Sequence, residues 1–383
     1  MNKSNSSGPR IAIVHDWLYG GGAELVIKSL HELYPDAPIY TSYCSDSWRK
    51  KLDNKVVTGY LQRWPFSKLR KFLPLPRQWW FSRLDLSDYD IILSSSGNGE
   101  AKFVRKSRPN QLHICYCHTP THFYWKHYKS YVEQPSFRPY WLARLGLKTL
   151  VKPLRKRDYD AAQAVDLFIA NSNNISDDIK EFYKKNSVVV FPPIETDKFK
   201  KVSRSRPQTH IPKNPKCITW GRIVPQKRLD IAIEACKQLG WQLDIIGNGP
   251  DIDRLRKIAG QTVNFLGYVT DEDREKYIRS ADLFLFCSHE DFGIAPVEAL
   301  SAGLPIVAYR NGGALDFVDN QKNGWFFDEQ SPRSLVSKLR SITGEQINPS
   351  EIALSAVKFD QDIFKKSIDQ IIKESWSKYE NSN

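Results

Sequence analysis

The chain predicts an α/β fold built from two doubly wound, parallel-sheet domains in tandem. Three observations carry this. Short apolar runs recur through both halves, each leaving through a glycine-, proline- or asparagine-containing loop into a helix-forming segment. A polar, charge-rich and proline-containing stretch, residues 198–214, separates the halves. The segment from Ser288 to Gly313, SHEDFGIAPVEALSAGLPIVAYRNGG, follows the apolar run Ala281 to Cys287 and reads as a complete strand, loop, helix, strand unit.

The first strand is Arg10 to His15, followed by a loop from Asp16 to Gly22 and a helix over about Ala23 to Leu33. Gly20, Gly21 and Gly22 let the backbone approach a ligand closely, or form a simple tight turn. They do not form G-x-G-x-x-G, so a dinucleotide site is weakly supported. From Leu61 to Leu84, Arg63, Lys68, Arg70, Lys71, Arg77 and Arg83 mix with Trp64, Phe66, Phe72, Trp79, Trp80 and Phe81. Three prolines rule out one long helix. Rings and cations together suit an anionic membrane or lipid-linked acceptor, equally a domain segment whose Trp residues fill the core, and less well nucleic acid. Tyr89 to Ser96 is a strand running into Gly97-Asn98-Gly99, and Gln111 to Cys117 is another, leaving through His118-Thr119-Pro120. A histidine at the C-terminal end of a parallel strand points into the crevice where ligands bind. Arg138 to Arg157 is a second basic stretch; helical spacing sets Leu142, Leu145, Leu150 and Leu154 on one broad face. Val165 to Ala170 and Val188 to Phe191 are the last strands of the first half.

The second half opens with the strand Cys217 to Trp220, then GRIVPQKRLD and a helix from about Leu229. Arg222 and Lys227 flank that turn, where two cations near a helix N-terminus give a diphosphate both charge and hydrogen bonds. Strands follow at Trp241 to Ile246, Val263 to Tyr268, Ala281 to Cys287, Pro305 to Tyr309 and Gly324 to Asp328. Pro296 and Gly303 bracket a helix at roughly 295–302, whose bare N-terminal amides suit a phosphate. Glu290 and Glu298 flank that helix start with Glu-x7-Glu spacing.

Composition sets the bounds. A length of 383 residues gives two or three domains, and 41% hydrophobic with 12% aromatic residues marks a globular chain. The six cysteines show neither C-x-x-C nor zinc spacing, which points to buried reduced thiols and a cytosolic compartment. MNKSNSSGPR lacks the apolar core of a signal peptide, and no run approaches the ~18 apolar residues of a spanning helix. The formal charge of +13 draws polyanions: nucleic acid, anionic lipid or a nucleotide diphosphate.

Glu290-x7-Glu298 within FGIAPVEALSAGLPIVA, together with GRIVPQK, resembles the family 4 glycosyltransferases, retaining enzymes of the two-domain GT-B fold. YCHTPTHFYW further resembles a motif of bacterial GDP-mannose-dependent mannosyltransferases in that family. The resemblance implies two Rossmann-like domains facing a cleft: residues 1–200 for the acceptor, a linker over 201–215, and 216–358 for the nucleotide-sugar. A helix over 359–383 is expected to cross back to the first domain. It implies Glu290 and His118 at the donor sugar as catalytic residues, and Glu298 on the ribose. Arg222, Lys227 and the amides of Gly293, Ile294 and Ala295 are implied on the diphosphate, with Phe292 and Gly293 beside the sugar. Gly20, Gly21 and Gly22 become a candidate acceptor or diphosphate loop, and Tyr268 and Val269 candidate base contacts. His122 departs from the family pattern and takes no role.

The expected activity is retaining transfer of a sugar, mannose from GDP-mannose, to a glycan or lipid-linked acceptor in envelope polysaccharide synthesis. Front-face attack is expected, with no metal or other cofactor. A UDP-sugar donor stays open, as does a nucleotide-sugar epimerase, a sugar-phosphate synthase or a non-catalytic basic binding protein. The expected location is cytoplasmic, with peripheral contact on the inner face of the membrane, and no nucleic-acid partner.

Overall fold

The computed structural model describes residues 8–69, 73–97, 100–126, 128–133, 140–199, 202 and 209–382. Two compact units are present: residues 1–192 with 364–383, and residues 193–363.

The first unit is a seven-stranded parallel sheet in the order β3-β2-β1-β4-β5-β6-β7. Its strands are β1 (Ile11–His15), β2 (Ile39–Thr41), β3 (Val56–Thr58), β4 (Ile91–Ser96), β5 (Leu112–Cys117), β6 (Leu167–Ala170) and β7 (Ser187–Val189). β1, β4 and β5 are buried along their whole length, as a parallel sheet covered on both faces requires. Side chains alternate between the faces. Ile11, Ile13, Ile91, Leu93, Ile114 and Tyr116 share one face with Val26, Ile27 and Leu30 of the helix Ala23–Leu33. Phe364, Ile368 and Ile372 of the helix Gln361–Ser382 join the same core. That helix therefore starts in the second unit and counts with the first from Phe364 onward. Burying three such side chains stabilises the unit by about 1.5–3 kcal/mol each.

The second unit repeats the pattern. Its six-stranded sheet runs β10-β9-β8-β11-β12-β13. The strands are β8 (Cys217–Trp220), β9 (Leu243–Ile246), β10 (Val263–Gly267), β11 (Leu283–Phe286), β12 (Ile306–Tyr309) and β13 (Gly324–Phe327), all parallel. In both sheets the strand order reverses once, between β1 and β4 and between β8 and β11. Ligands of doubly wound sheets sit beyond the carboxyl ends of the strands at that reversal.

Three expectations shift. Residues 201 and 203–208 of the expected linker lie outside the described residues, while Ile211 is buried in the second unit's core and His210 bridges to Gln346. The boundary therefore falls at Pro192/Pro193 rather than over 201–215. Strands β2 and β3 are additional to those read from sequence. The stretch Leu61 to Leu84 fills the core only in part. Phe81 is buried and the Trp80 indole lies against Gly59, whereas Trp64 and Trp79 stay exposed on and beside the helix Pro74–Phe81. Arg70, Lys71, Phe72, Asn98, Gly99 and Arg138 lie outside the described residues, as does the Leu142 side chain. On the helix Tyr140–Gln163, Leu145 and Leu150 face solvent, and the side chains turned inward are Val151, Asp158 and Ala162.

Candidate active site

In the second unit, β8 and β11 are neighbours and end side by side. Beyond β8 the chain passes Gly221 and Arg222 into a short turn ending at Lys227, ahead of the helix Leu229–Leu239. The turn is clamped to the loop after β9. Ile223 N–H donates to Asn248 O at 2.9 Å, and a Cβ on Gly249 would lie 2.0 Å from Ile223 O. Only glycine allows that approach. Beyond β11, Gly293 takes φ +115° and opens the helix Ile294–Ser301. Gly312 and Gly313 hold the β11 exit from the other side: Gly313 N–H donates to Glu290 O at 2.8 Å, and a Cβ there would meet Phe292 O at 2.2 Å.

This places Arg222, Lys227, Ser288 and Ala295 around one pocket floored by Trp220 and Gly221. Arg222 is exposed, and among the described residues no carboxylate lies within ion-pair distance of it. Lys227 Nζ donates to Glu290 Oε1 at 2.5 Å, and the Ser288 hydroxyl reaches the same oxygen at 2.5 Å. The amides of Gly293, Ile294 and Ala295 find no acceptor among the described residues, as expected at a helix start. Pro296 contributes no amide to that set.

Glu298 lies one turn into the helix. Its Oε2 accepts from the Trp220 indole at 2.8 Å and faces Arg274 Nη1 at 3.6 Å. Burial raises its pKa, opposed by the Arg274 charge and the indole hydrogen bond. Its Oε1 accepts no hydrogen bond among the described residues and is available to a pair of hydroxyls. Phe292 is buried against Phe317 and Phe359 and does not line the pocket. Tyr268 is 85% exposed and Val269 half-buried; they follow β10 along the same sheet edge and do not line the pocket.

The first unit has its own cluster at the β1/β4 reversal. His118, one residue past β5, sits with its Nε2 2.8 Å from Ser95 Oγ. His15, the last residue of β1, places Nδ1 3.0 Å from Ser95 O and 3.2 Å from Ser95 Oγ. Burial, and then the neighbouring His15, push the His118 pKa down to about 3. Asp16 accepts from the amides of Gly97 and Ala101, both at 2.7 Å. The glycine loop departs from expectation. Glu24 Oε1 accepts from the amides of Tyr19 and Gly20 at 3.2 and 2.7 Å, so a carboxylate of the chain itself occupies the cradle that Gly20, Gly21 and Gly22 were expected to offer an outside anion. Trp220, Arg274, Ser288, His15, Ser95 and Glu24 were not singled out from sequence. His15 carried a signal all the same, since it ends the apolar run IAIVH much as His118 follows LHICYC.

Residues 20–198 match the family described as Glycosyltransferase Family 4, and residues 202–377 match Glycosyl transferases group 1. The chain belongs to the family 4 glycosyltransferases. Among its relatives in this family is the GDP-mannose-dependent alpha-(1-6)-phosphatidylinositol monomannoside mannosyltransferase of Mycobacterium tuberculosis, 28% identical over 37% of this chain and 42% of that protein. The amylovoran biosynthesis glycosyltransferase AmsK of Erwinia amylovora is 27% identical over 40% of this chain and 44% of its own length. The matched stretches thus span less than half of these relatives. The crystal structure of HepE (Alr3699) from Anabaena in complex with UDP superposes with a TM-score of 0.68, covering 95% of this chain and 100% of that one at 18% identity. The glycosyltransferase fold is GT-B: two Rossmann-like units, with the last helix returning to the first.

Proposed function

We propose that this glycosyltransferase moves a sugar from a nucleotide-sugar donor to a glycan or lipid-linked acceptor with retention of configuration. The observation that carries the proposal is the pocket at the β8/β11 reversal, where Arg222, Lys227 and the open helix start at Ala295 converge. Breaking an anomeric C–O bond leaves a diphosphate, and a preorganised positive field is what that leaving group needs. Arg222 and Lys227 supply charge; the amides of Gly293, Ile294 and Ala295 supply hydrogen bonds; no metal is assigned a part. Glu298 holds the ribose through Oε1. Glu290 orients the sugar once the diphosphate has drawn Lys227 away, and His118 orients it through a ring N–H. In front-face transfer the acceptor hydroxyl passes its proton to the departing phosphate oxygen, so no protein base is required.

The donor proposed is GDP-mannose. The HTP segment beginning at His118 and the mycobacterial relative both support it. The acceptor proposed is lipid-linked. Trp64 and Trp141 are 76% and 67% exposed, and Trp79, Leu145 and Leu150 are exposed as well, among Arg63, Lys68, Arg83, Lys148 and Lys152. Exposed rings beside cations suit an anionic bilayer surface.

The test is a thermal-shift screen of GDP, UDP and ADP on the wild type and on Lys227→Ala. GDP is expected to raise Tm, as a ligand bound only by the folded state must, and Lys227→Ala is expected to shrink the rise. A larger shift with UDP would replace GDP as the donor nucleotide. No shift with any of the three would overturn the site.

A further inference from the structure

The polar cluster at the β1/β4 reversal has a readable hydrogen-bond polarity, and it follows from carbonyl chemistry. Ser95 O can only accept. His15 Nδ1, 3.0 Å from it, must therefore carry a hydrogen, and that same N–H also leans on Ser95 Oγ at 3.2 Å. Ser95 is fully buried, so its hydroxyl hydrogen has no water to go to. Among the described residues the acceptor left for it is His118 Nε2, at 2.8 Å. A donor pointing at Nε2 makes that nitrogen a lone-pair site. The remaining proton of the neutral ring then stands on Nδ1.

We propose that Ser95, set by His15, is a positioning residue that fixes His118 as the Nδ1–H tautomer and so presents one N–H donor to a hydroxyl of the bound sugar. This rests on the function proposed above for its last step, and on geometry alone for the rest. Sequence builds the relay simply. Ile11-Ile13-His15, Ile91-Leu93-Ser95 and Ile114-Tyr116-His118 each run along the same face of the sheet, because residues two apart share a face. Each apolar pair ends in a polar side chain at the carboxyl edge. Register pairs His15 directly with Ser95, and Tyr116 with Ser95 on the other side. The groups around His118 all favour a neutral ring or leave it indifferent. His15 approaches edge-on at 6.3 Å between ring centres, Tyr116 packs at 5.1 Å, and the Asp16 carboxylate is spent on the amides of Gly97 and Ala101.

A neutral Nδ1–H ring offers a sugar oxygen one donor and adds no charge. Loss of the Ser95 hydroxyl leaves His15 its carbonyl partner, since that is backbone, and removes only the donor to His118.

The experiment uses the full chain labelled with [15N]histidine. Long-range proton–nitrogen correlations give the tautomer of each ring, with His118 assigned by the signals lost in His118→Gln. In the wild type His118 is expected as Nδ1–H, titrating below an ordinary histidine. In Ser95→Ala it is expected to move to Nε2–H, with its titration midpoint raised. Ser94→Ala, one residue away on the opposite face, should leave His118 unchanged. Donor-dependent transfer in Ser95→Ala should fall in kcat by about tenfold, one hydrogen bond's worth, with KM little altered. A wild-type His118 in the Nε2–H form overturns the relay, as does a tautomer indifferent to Ser95→Ala. A tautomer that moves while kcat does not overturns the positioning role. If neither protein transfers sugar, the function proposed above has failed, and the spectra still decide the relay.

Discussion

Lys227 Nζ rests 2.5 Å from Glu290 Oε1. The cation proposed to grip a diphosphate is held by a carboxylate across the pocket, at a site where both side chains are about a quarter exposed. Such partly exposed pairs contribute about 0–1 kcal/mol. An incoming diphosphate, with more charge and several oxygens, can therefore displace Glu290 at small cost. Lys227→Met is expected to change unfolding of the free protein by under about 1 kcal/mol while removing most of the nucleotide-induced rise in Tm. A large loss of stability without nucleotide, with the nucleotide response intact, would show the pair to be structural.

Trp220 anchors Glu298 through one indole hydrogen bond of 2.8 Å. Trp220→Phe keeps the ring against Phe284 and deletes the donor. The expected cost is about 1–3 kcal/mol, because a partly buried carboxylate loses a partner. Burial raises the Glu298 pKa, so the folded state favours its protonated form. Its contribution is present below the unfolded carboxylate pKa and is lost as pH rises through the folded value. The Phe variant should therefore differ from wild type more at pH 7 than at pH 4, measured by urea midpoints.

In the first unit, burial pushes His113 down to about 4 and His118 to about 3, while burial lifts Glu100 to about 7 against its Arg77 partner. The two histidines bind protons more readily when unfolded, so their contribution is complete above their ordinary 6.5 and fades as pH falls. Glu100 acts in reverse, full below 4.5 and fading up to about 7. Near pH 5 the unfolded chain holds about two protons and the folded chain about one at these sites. Their combined effect makes stability rise with pH by about 1.4 kcal/mol per unit there, flattening below about 4 as the histidines charge in the folded state as well. His113→Gln should flatten the slope. A stability that falls with pH across this window would contradict the assignment.

Gly313 has no room for a side chain: a Cβ would lie 2.2 Å from Phe292 O, which is backbone. Gly313→Ala must push the β11 exit away from its position, and with it Glu290 and the amides after it. The expected loss is about 1–3 kcal/mol, with nucleotide binding weakened further than stability alone explains. Gly344→Ala, where no atom lies within 4 Å of the added methyl but φ is +84°, serves as a control away from the pocket.

Trp64 and Trp141 contribute little to the core, so Trp64→Ser and Trp141→Ser should leave Tm within about 1 °C, as surface changes generally do. Sedimentation with vesicles containing anionic lipid should fall in each and further in the double variant. Unchanged sedimentation would remove the bilayer from the proposed acceptor.

Fully buried strands were easy to read because parallel sheets demand continuous apolar runs; Ile91–Ser96 and Leu283–Phe286 are cases in point. Ile39–Thr41 and Val56–Thr58 were not, since three residues near a sheet edge leave no run long enough to stand out. At the site, the motifs named Arg222, Lys227, Glu290 and Glu298 because each lies within a short segment. What they could not supply was who touches whom. Trp220 and Arg274 meet Glu298 from another strand and another helix, and His15 and Ser95 meet His118 across three strands. Glu24 escaped notice for a different reason. A helix-forming glutamate looks like surface, and only the folded loop shows its carboxylate turned back onto the amides of Tyr19 and Gly20.

The hydrophobic face of the first sheet is finished by Phe364, Ile368 and Ile372, residues that leave the ribosome some 170 positions after that unit's other strands and helices are complete. Throughout synthesis of the intervening polypeptide, an oily strip on the nascent half stands without its lid. The order of manufacture thus makes the opening half of the polypeptide wait on the closing one, and a ribosome that stalls early releases a sticky product for chaperones to hold.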